Sequence, residues 1–271
     1  MKEMMVKKTI LFNQAITAQS DQKEISFYLT KSPHCSSTLK PVPKNLEQWP
    51  YAGLFQTVDV VSVPALTISE VLREVGFEYI DWLKVDSQGT DLRILESIPS
   101  HIFNQMIACD VEPGLYEHYE NADLFPELHL NMIRQGFWLA DLKLQTQPRI
   151  AEADWNALQE QVSLPQMRKL INLFLKRSPT ATEARYIRSI PSAIALNYDY
   201  HKFLVLWAIS LTTGNLSYAY HVACEIERRF SNAPELRKET YKIITLQTAK
   251  GILSNPSTVL LMIIKQLIRK S

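Results

Sequence analysis

The segment from Ile80 to Glu96 constrains the fold of this chain more than any other segment. It opens with an apolar run that has the length and the β-branched content of a buried strand. The run ends on Asp86, a glycine follows at Gly89, and apolar residues then return at helical spacing at Leu92, Ile94 and Leu95. Strand, carboxylate, glycine turn and helix in this order are typical of the carboxyl end of a strand in an open α/β sheet. Such folds bind their ligands there.

Asp86 has two possible roles in this arrangement. It is either a functional carboxylate at the ligand-binding edge of the sheet or the N-cap of the helix that follows, and caps of that kind are common. The spacing alone leaves both roles open.

The same segment resembles the signature of the FkbM-type methyltransferases, which depend on S-adenosylmethionine. The family pattern is hydrophobic, Lys, hydrophobic, Asp, two residues, Gly, one residue, an acidic residue and Leu. Here it reads Leu83-Lys84-Val85-Asp86-Ser87-Gln88-Gly89-Thr90-Asp91-Leu92, with Asp91 where Glu is commoner. Further similar segments, between about residues 6 and 144, are Asn13-Gln14-Ala15-Ile16, Phe27-Tyr28-Leu29, Ser36-Ser37, Asp110-Val111-Glu112, Leu115-Tyr116 and Gly136-Phe137.

The resemblance implies an α/β fold in which a partial Rossmann-like methyltransferase sheet precedes an all-α helical domain. Enzymes of this class hold their cofactor with a glycine-rich turn after the first strand and an acidic residue after the second. The chain has seven glycines, no two closer than Gly76 and Gly89, and no Gly-x-Gly. We therefore expect the first two strands to be absent and the domain to be truncated at its amino terminus. S-adenosylmethionine, the implied cofactor, should then bind this chain weakly.

The resemblance also assigns site residues. Asp86 is the expected catalytic base or acceptor-orienting group and also a cofactor contact. Ala15 and Ile16 are candidate adenine contacts, with a plain core role as the alternative. Gln88, Glu112 and Tyr116 are the expected acceptor contacts. His118 is expected to be an exposed loop residue.

The implied activity is O-methylation of a hydroxyl on a sugar, glycan or polyketide. Two alternatives stay open: a catalytically inactive methyltransferase-like domain that serves as a binding or scaffold module, and one half of a split enzyme. The expected partner is a small-molecule or glycan acceptor, and no nucleic acid is expected.

The charge distribution favours two domains, 1–150 and 151–271. The first half has 13 Lys and Arg against 19 Asp and Glu, and the second has 16 against 9. The basic half could bring a protein partner to the enzyme. Three scattered cysteines argue for a reducing compartment, so we expect a cytoplasmic protein, and no stretch is long and apolar enough to be a transmembrane segment.

Periodicity predicts the remaining elements. Strands are expected near 6–16, 25–29, 58–63, 105–112 and 137–144, the first two being compatible with a hairpin. Helices are expected near 66–75, with Thr67 or Ser69 as its cap, and at 125–135. Beyond residue 151 we expect helices near 153–161, 164–177, 181–190, 200–212, 215–230, 234–252 and 257–270.

Overall fold

The computed structural model of the chain describes residues 8–162, 164–230 and 235–254. Contacts divide the chain into two compact units, Met1–Ser189 and Ile190–Ser271. The first unit is mixed α/β, whereas the second contains only helices among its described residues. The predicted α/β class is confirmed.

A small sheet begins the first unit. Its strands are β1 (Ala15–Ile16), β2 (Glu24–Thr30) and β3 (Thr57–Leu66), in the order β1-β3-β2. β3 pairs antiparallel with β2 and parallel with β1, so the suggested hairpin between the first two strands is wrong. Residues 8–14 form no strand. β1 pairs instead with the last two residues of β3, Ala65 and Leu66.

The connection between β2 and β3, residues 31–56, is long and largely irregular. It contains one short helix, α1 (Pro43–Leu46), and 3₁₀ turns at Pro33–Cys35 and Ala52–Phe55. Helix α2 (Ile68–Val75) then begins with a capping box. The Thr67 hydroxyl accepts from the Glu70 N–H, and the Glu70 carboxylate accepts from the Thr67 N–H. The predicted cap at Thr67 is confirmed.

The larger sheet contains β4 (Trp82–Val85), β5 (Ala108–Val111), β6 (Phe137–Gln147) and β7 (Ser178–Arg188). Their order is β4-β5-β7-β6. β4 and β5 are parallel, and β7 runs antiparallel to both of its neighbours. The crossover between the two parallel strands carries α3 (Asp91–Glu96) and α4 (Ser100–Phe103).

The predicted helix over 181–190 is wrong, because most of this segment lies in β7. Thr180, Thr182, Ala184 and Tyr186 are buried, while the residues between them are half-exposed. This period of two is that of a strand. The segment therefore belongs to the first unit, and the division after Ser189 does not coincide with the predicted boundary at residue 150.

The apolar core lies on one face of the larger sheet. Strand residues Val85, Val111 and Tyr186 pack there against α3, α4 and α5 (Phe125–Arg134), which contribute Ile94, Leu95, Ile102, Phe103, Leu128 and Met132. The opposite face carries charged side chains such as Lys84, Asp110 and Arg185. The same face also holds the buried residues Ala108 and Ile187, so its polar part is limited to the neighbourhood of these charges.

Two helices, α6 (Glu152–Gln161) and α7 (Pro165–Phe174), lie between β6 and β7. The second unit holds α8 (Ile190–Ala195), α9 (Tyr200–Thr212), α10 (Leu216–Arg229) and α11 (Leu236–Ser254). The helices predicted near 153–161, 164–177, 200–212, 215–230 and 234–252 are confirmed. The one predicted over 257–270 falls outside the described residues. No helix in the described part of the chain has the length and hydropathy needed to cross a membrane.

Candidate functional site

Asp86 and Glu112 leave the larger sheet at the same edge. Val85 and Val111 are the last paired residues of β4 and β5, which run parallel, so each carboxylate is the next residue beyond its strand. β5 thus delivers Glu112 to the same edge of the sheet as Asp86.

The neighbouring carboxylate, Asp91, holds these two strand ends together. It is 1 % exposed, and its oxygens accept from the N–H of Ser87 at 3.1 Å, from the N–H of Glu112 at 2.9 Å and from the Ser87 hydroxyl. Burial raises the pKa of Asp91, and the hydrogen bonds from Ser87 and Glu112 oppose that rise. Asp91 is thus structural, because it bonds to the ends of both strands at once.

Asp86 does not cap α3. The N-cap residue is Thr90, whose side chain makes no capping bond. Asp86 is exposed, and its Oδ1 accepts from the Gln88 Nε2 at 2.6 Å. The carboxylate is therefore held by a neutral amide and stays open to an incoming ligand.

Gln88 is fixed by three further features. Its φ of 54° lies in the left-handed region, and its carbonyl accepts from the Ser37 hydroxyl at 2.8 Å. The Tyr119 hydroxyl donates to the Gln88 Oε1 at 3.2 Å and to the Cys35 carbonyl at 2.9 Å. A chain of hydrogen bonds thus runs from Tyr119 through Gln88 to Asp86.

Gly89 allows this turn to pack tightly. Its φ is +108°, and a Cβ there would lie 3.3 Å from the Ala122 Cβ and the Leu39 Cδ1 and 3.4 Å from the Tyr119 ring. The space beside Gly89 is filled by the protein's own side chains, so a larger residue would strain the turn and crowd its neighbours.

The electrostatic settings of the two edge carboxylates differ. Glu112 forms an ion pair with Lys84 at 2.8 Å, and the hydrogen bond from that pair raises the pKa of Lys84. Asp86, in contrast, accepts from an amide. The two carboxylates thus have different hydrogen-bond partners, a cation for Glu112 and a neutral amide for Asp86. We call Asp86, Gln88 and Glu112 the carboxylate edge.

Next to this edge, where Tyr119 bonds to Gln88, lies a group of rings that we call the aromatic wall: Tyr51, Phe55, His118 and Tyr119. Their centroids lie 5.5–5.8 Å apart in four pairs. The Tyr51 hydroxyl and the His118 Nε2 are hydrogen-bonded at 3.1 Å. The wall combines apolar surface with a few fixed polar groups, the composition typical of ligand pockets.

His118 is not the exposed loop residue that the sequence suggested. It is 8 % exposed, and burial lowers its pKa to about 4, so the imidazole is neutral at physiological pH. Burial likewise raises the pKa of the Tyr51 and Tyr119 hydroxyls. The wall therefore carries uncharged hydrogen-bonding groups.

The carboxylate edge and the aromatic wall line one cavity of about 600 Å³. The cavity brings together all four residues predicted as base and acceptor contacts: Asp86, Gln88, Glu112 and Tyr116. Ser36, from the family-like segment Ser36-Ser37, and Thr180 of β7 also line it. Tyr51, Phe55 and Tyr119 were not predicted from the sequence. Aromatic residues in the long proline-rich connection were the signal that could have indicated the first two.

The predicted adenine contacts lie elsewhere. Ile16 lines a separate cavity of about 310 Å³, together with Thr17, Thr90 and Arg93, and it packs against the apolar core. Ala15 is half-buried in β1 and lines neither cavity. The structure therefore does not bring Ala15 and Ile16 to Asp86.

The described residues do not fit the adenosine part of S-adenosylmethionine. A nucleoside cradle needs glycine backbone that a ligand approaches closely and a carboxylate for the ribose. Among the described residues, no carboxylate lines the cavity at Ile16. The glycines of the larger cavity, Gly89 and Gly114, face the protein's own atoms within 3.4 Å.

Comparison with known proteins assigns part of the chain to a family. Residues 5–139 match the family model described as methyltransferase FkbM domain. No curated protein and no solved structure matches the chain. This match defines residues 5–139 as a methyltransferase domain. The matched segment belongs to the FkbM methyltransferase family, and the resemblance carried by the segment around Asp86 is confirmed. Helices α6 and α7, strand β7 and the helical unit lie beyond the match.

Proposed function

We propose that the chain forms the acceptor side of a methyl-transfer site, where a hydroxyl of a sugar, glycan or polyketide is methylated. The observation that carries this proposal is the convergence of Asp86, Gln88, Glu112 and Tyr116 on one cavity. Methyl transfer to oxygen needs the acceptor held in line with the methyl carbon and a group to receive its proton.

Asp86 takes the proton of the acceptor hydroxyl or orients that hydroxyl through a hydrogen bond. Gln88 fixes the Asp86 carboxylate, because its amide is itself anchored by Ser37 and Tyr119. Glu112 and Tyr116 contact the remaining polar groups of the acceptor. The aromatic wall supplies apolar surface and the neutral pair Tyr51–His118, which suit an uncharged polyhydroxyl compound.

The methyl donor of this family is generally S-adenosylmethionine, which supplies an electrophilic methyl group when bound. Because the described residues do not fit its adenosine part, we expect weak binding of this donor to the chain as given. Calorimetric titration checks this. Micromolar binding would mean that a cradle other than Ala15 and Ile16 exists.

The same misfit favours a second candidate function. In this alternative the domain is a catalytically inactive binding module, or one half of an enzyme that another polypeptide completes. The helical, basic part of the chain would then hold the protein partner. Acceptor binding without methyl transfer, in the presence of saturating donor, would support the alternative.

The replacement of Asp86 by Asn tests the proposed function. It keeps size and most hydrogen bonding but removes the proton acceptor, so we expect methyl transfer to fall about 10²- to 10⁴-fold. The measurement is transfer of a radiolabelled methyl group from S-adenosylmethionine to a panel of hydroxylated acceptors. Asp59→Asn is the matched control, because Asp59 is an exposed carboxylate on β3, outside the cavity. Unchanged transfer by a folded Asp86→Asn variant would remove Asp86 from the chemistry.

A further inference from the structure

Helix α7 exposes a large apolar surface to solvent. Its stripe of Met167, Leu170, Ile171 and Phe174 follows the spacing i, i+3, i+4, i+7 of one helical face. Phe174 is 81 % exposed and Leu173, at the edge of the stripe, is 75 % exposed. Leu164 just before the helix is 61 % exposed. Together these residues form a contiguous apolar surface that the described part of the chain leaves uncovered.

The charge of the same segment is uniformly positive. From Gln161 to Thr182 the sequence contains four Lys or Arg and no Asp or Glu. Arg168, Lys176 and Arg177 are exposed. A helix with a broad apolar stripe, flanked by cations and free of carboxylates, has the composition of helices that lie in the interface of an anionic bilayer.

Charge decides between the possible occupants of this surface. A second copy that docked symmetrically through α7 would bring two basic segments together. The apolar carboxyl-terminal segment 257–270 carries Lys265, Arg269 and Lys270 without any acidic residue, so it would repel the same cations. An anionic bilayer complements both the apolar stripe and the positive charge.

Helix α7 also lies, in sequence, between two residues that line the candidate cavity. β6 ends at Gln147 and β7 begins at Ser178, so the α6–α7 segment leaves and re-enters the sheet there. Gln147 and Thr180 line the cavity. Arg177 donates to the Gln147 side chain at 3.1 Å and to the Thr146 carbonyl at 3.1 Å. The end of the α7 segment is thus bonded to the rim of the cavity.

We propose that α7 docks the protein on an anionic membrane surface and presents the cavity to an acceptor carried by a lipid. The second half rests on the proposed function, whereas the docking itself does not. The stripe enters the interface between headgroups and acyl chains, and Arg168, Lys176 and Arg177 bind the headgroup phosphates.

Sedimentation of the full chain with vesicles tests the docking without any need for activity. We expect about 100-fold stronger association with vesicles that contain about 30 % phosphatidylglycerol than with pure phosphatidylcholine. About 0.5 M salt should remove most of that difference, because it screens the exposed cations. Phosphatidylglycerol vesicles that fail to bind the protein at low salt would overturn the proposal.

The double substitution Leu173→Ser with Phe174→Ser isolates the helix. Both side chains are largely exposed, so folding should persist, and circular dichroism checks that it does. We expect association with anionic vesicles to fall at least about tenfold. Leu246→Ser is the matched control, because Leu246 is a 63 % exposed apolar residue of α11. Vesicle binding that the double variant retains would place the contact on another surface and overturn the proposal.

Light scattering tests whether a second copy of the chain, rather than a membrane, covers α7. We expect the mass of the wild-type protein in solution to equal that of the double variant. An oligomer that only the wild-type chain forms, together with no vesicle binding, would show that a second copy covers α7. A wild-type chain that binds anionic vesicles but makes no methylated product would support the docking and refute only the proposed function.

Discussion

The two sides of the candidate cavity differ in charge and in access to water. The carboxylate edge is reached by solvent and carries charged groups, with Asp86 held by an amide and Glu112 by Lys84. The aromatic wall is largely buried and neutral, because burial lowers the pKa of His118 to about 4 and raises that of Tyr51 and Tyr119. The chain thus keeps charge where water compensates it and uses neutral hydrogen-bonding groups where water is scarce.

The largest expected effect comes from the turn that joins the two sides. Gly89→Ala places a methyl group against Leu39, Ala122 and Tyr119 at a φ of +108°. We expect a loss of about 3 kcal/mol in the free energy of unfolding, from backbone strain and overpacking together. Denaturant titration measures it.

Gly76→Ala is the control for that substitution. Gly76 has a φ of +72° but no atom within 4 Å of a built Cβ, so only backbone strain remains, at about 1 kcal/mol. Equal losses for the two variants would mean that the edge and the wall are not packed together at Gly89.

The second expected effect is a loss of stability when low pH protonates His118 in the aromatic wall. The pKa of His118 is about 4 in the folded chain and about 6.5 in an unfolded one. The unfolded state binds more protons between these values, so stability is unaffected above pH 6.5 and falls as the pH drops toward 4. The loss should reach about 2–3 kcal/mol at pH 4.

Denaturant titrations at several pH values compare the wild type with His118→Gln. We expect the variant to have a shallower dependence between pH 6.5 and 4, with its other titrating groups unchanged. If the unfolding free energy of both proteins depended on pH with the same slope, His118 would be as easily protonated as a histidine in water. The aromatic wall would then be accessible to water.

The smallest expected effect concerns the hydrogen bond from Tyr119 to Gln88, which links the aromatic wall to the carboxylate edge. Tyr119→Phe removes the hydroxyl that donates to Cys35 and Gln88, and we expect a loss of about 1 kcal/mol in unfolding free energy. Tyr116→Phe should cost less than about 0.5 kcal/mol, because Tyr116 is 38 % exposed. If Tyr116→Phe costs as much as Tyr119→Phe, the hydroxyl of Tyr119 contributes nothing specific.

Local signals in the sequence predicted much of this fold. The strand, turn and helix around Asp86 and the cap at Thr67 depend on residues that are close in sequence. The position of Asp86 and Glu112 at one edge of the sheet also followed, because parallel strands end at a common edge. In all three cases neighbouring residues or a general rule of sheets carried the information.

Long-range packing accounts for what sequence reasoning missed. His118 lies among Glu117, Glu120 and Asn121, and its burial comes from Tyr51 and Phe55, more than 60 residues away. β7 was interpreted as a helix although its buried residues alternate. Its place between β5 and β6 depends on partners that periodicity does not specify.

The position of β7 has a consequence for how the chain folds during synthesis. Of the strands in the described part of the chain, β7 is made last, yet it lies between β5 and β6. A nascent chain that ends near residue 150 already contains β4, β5 and β6 but lacks the strand that joins β5 to β6. Until Arg188 has left the ribosome, both strands present unpaired edges to other chains. The ribosome therefore makes the α6–α7 segment after β6 and before β7, the strand that completes the sheet. A chaperone would be needed most during that interval.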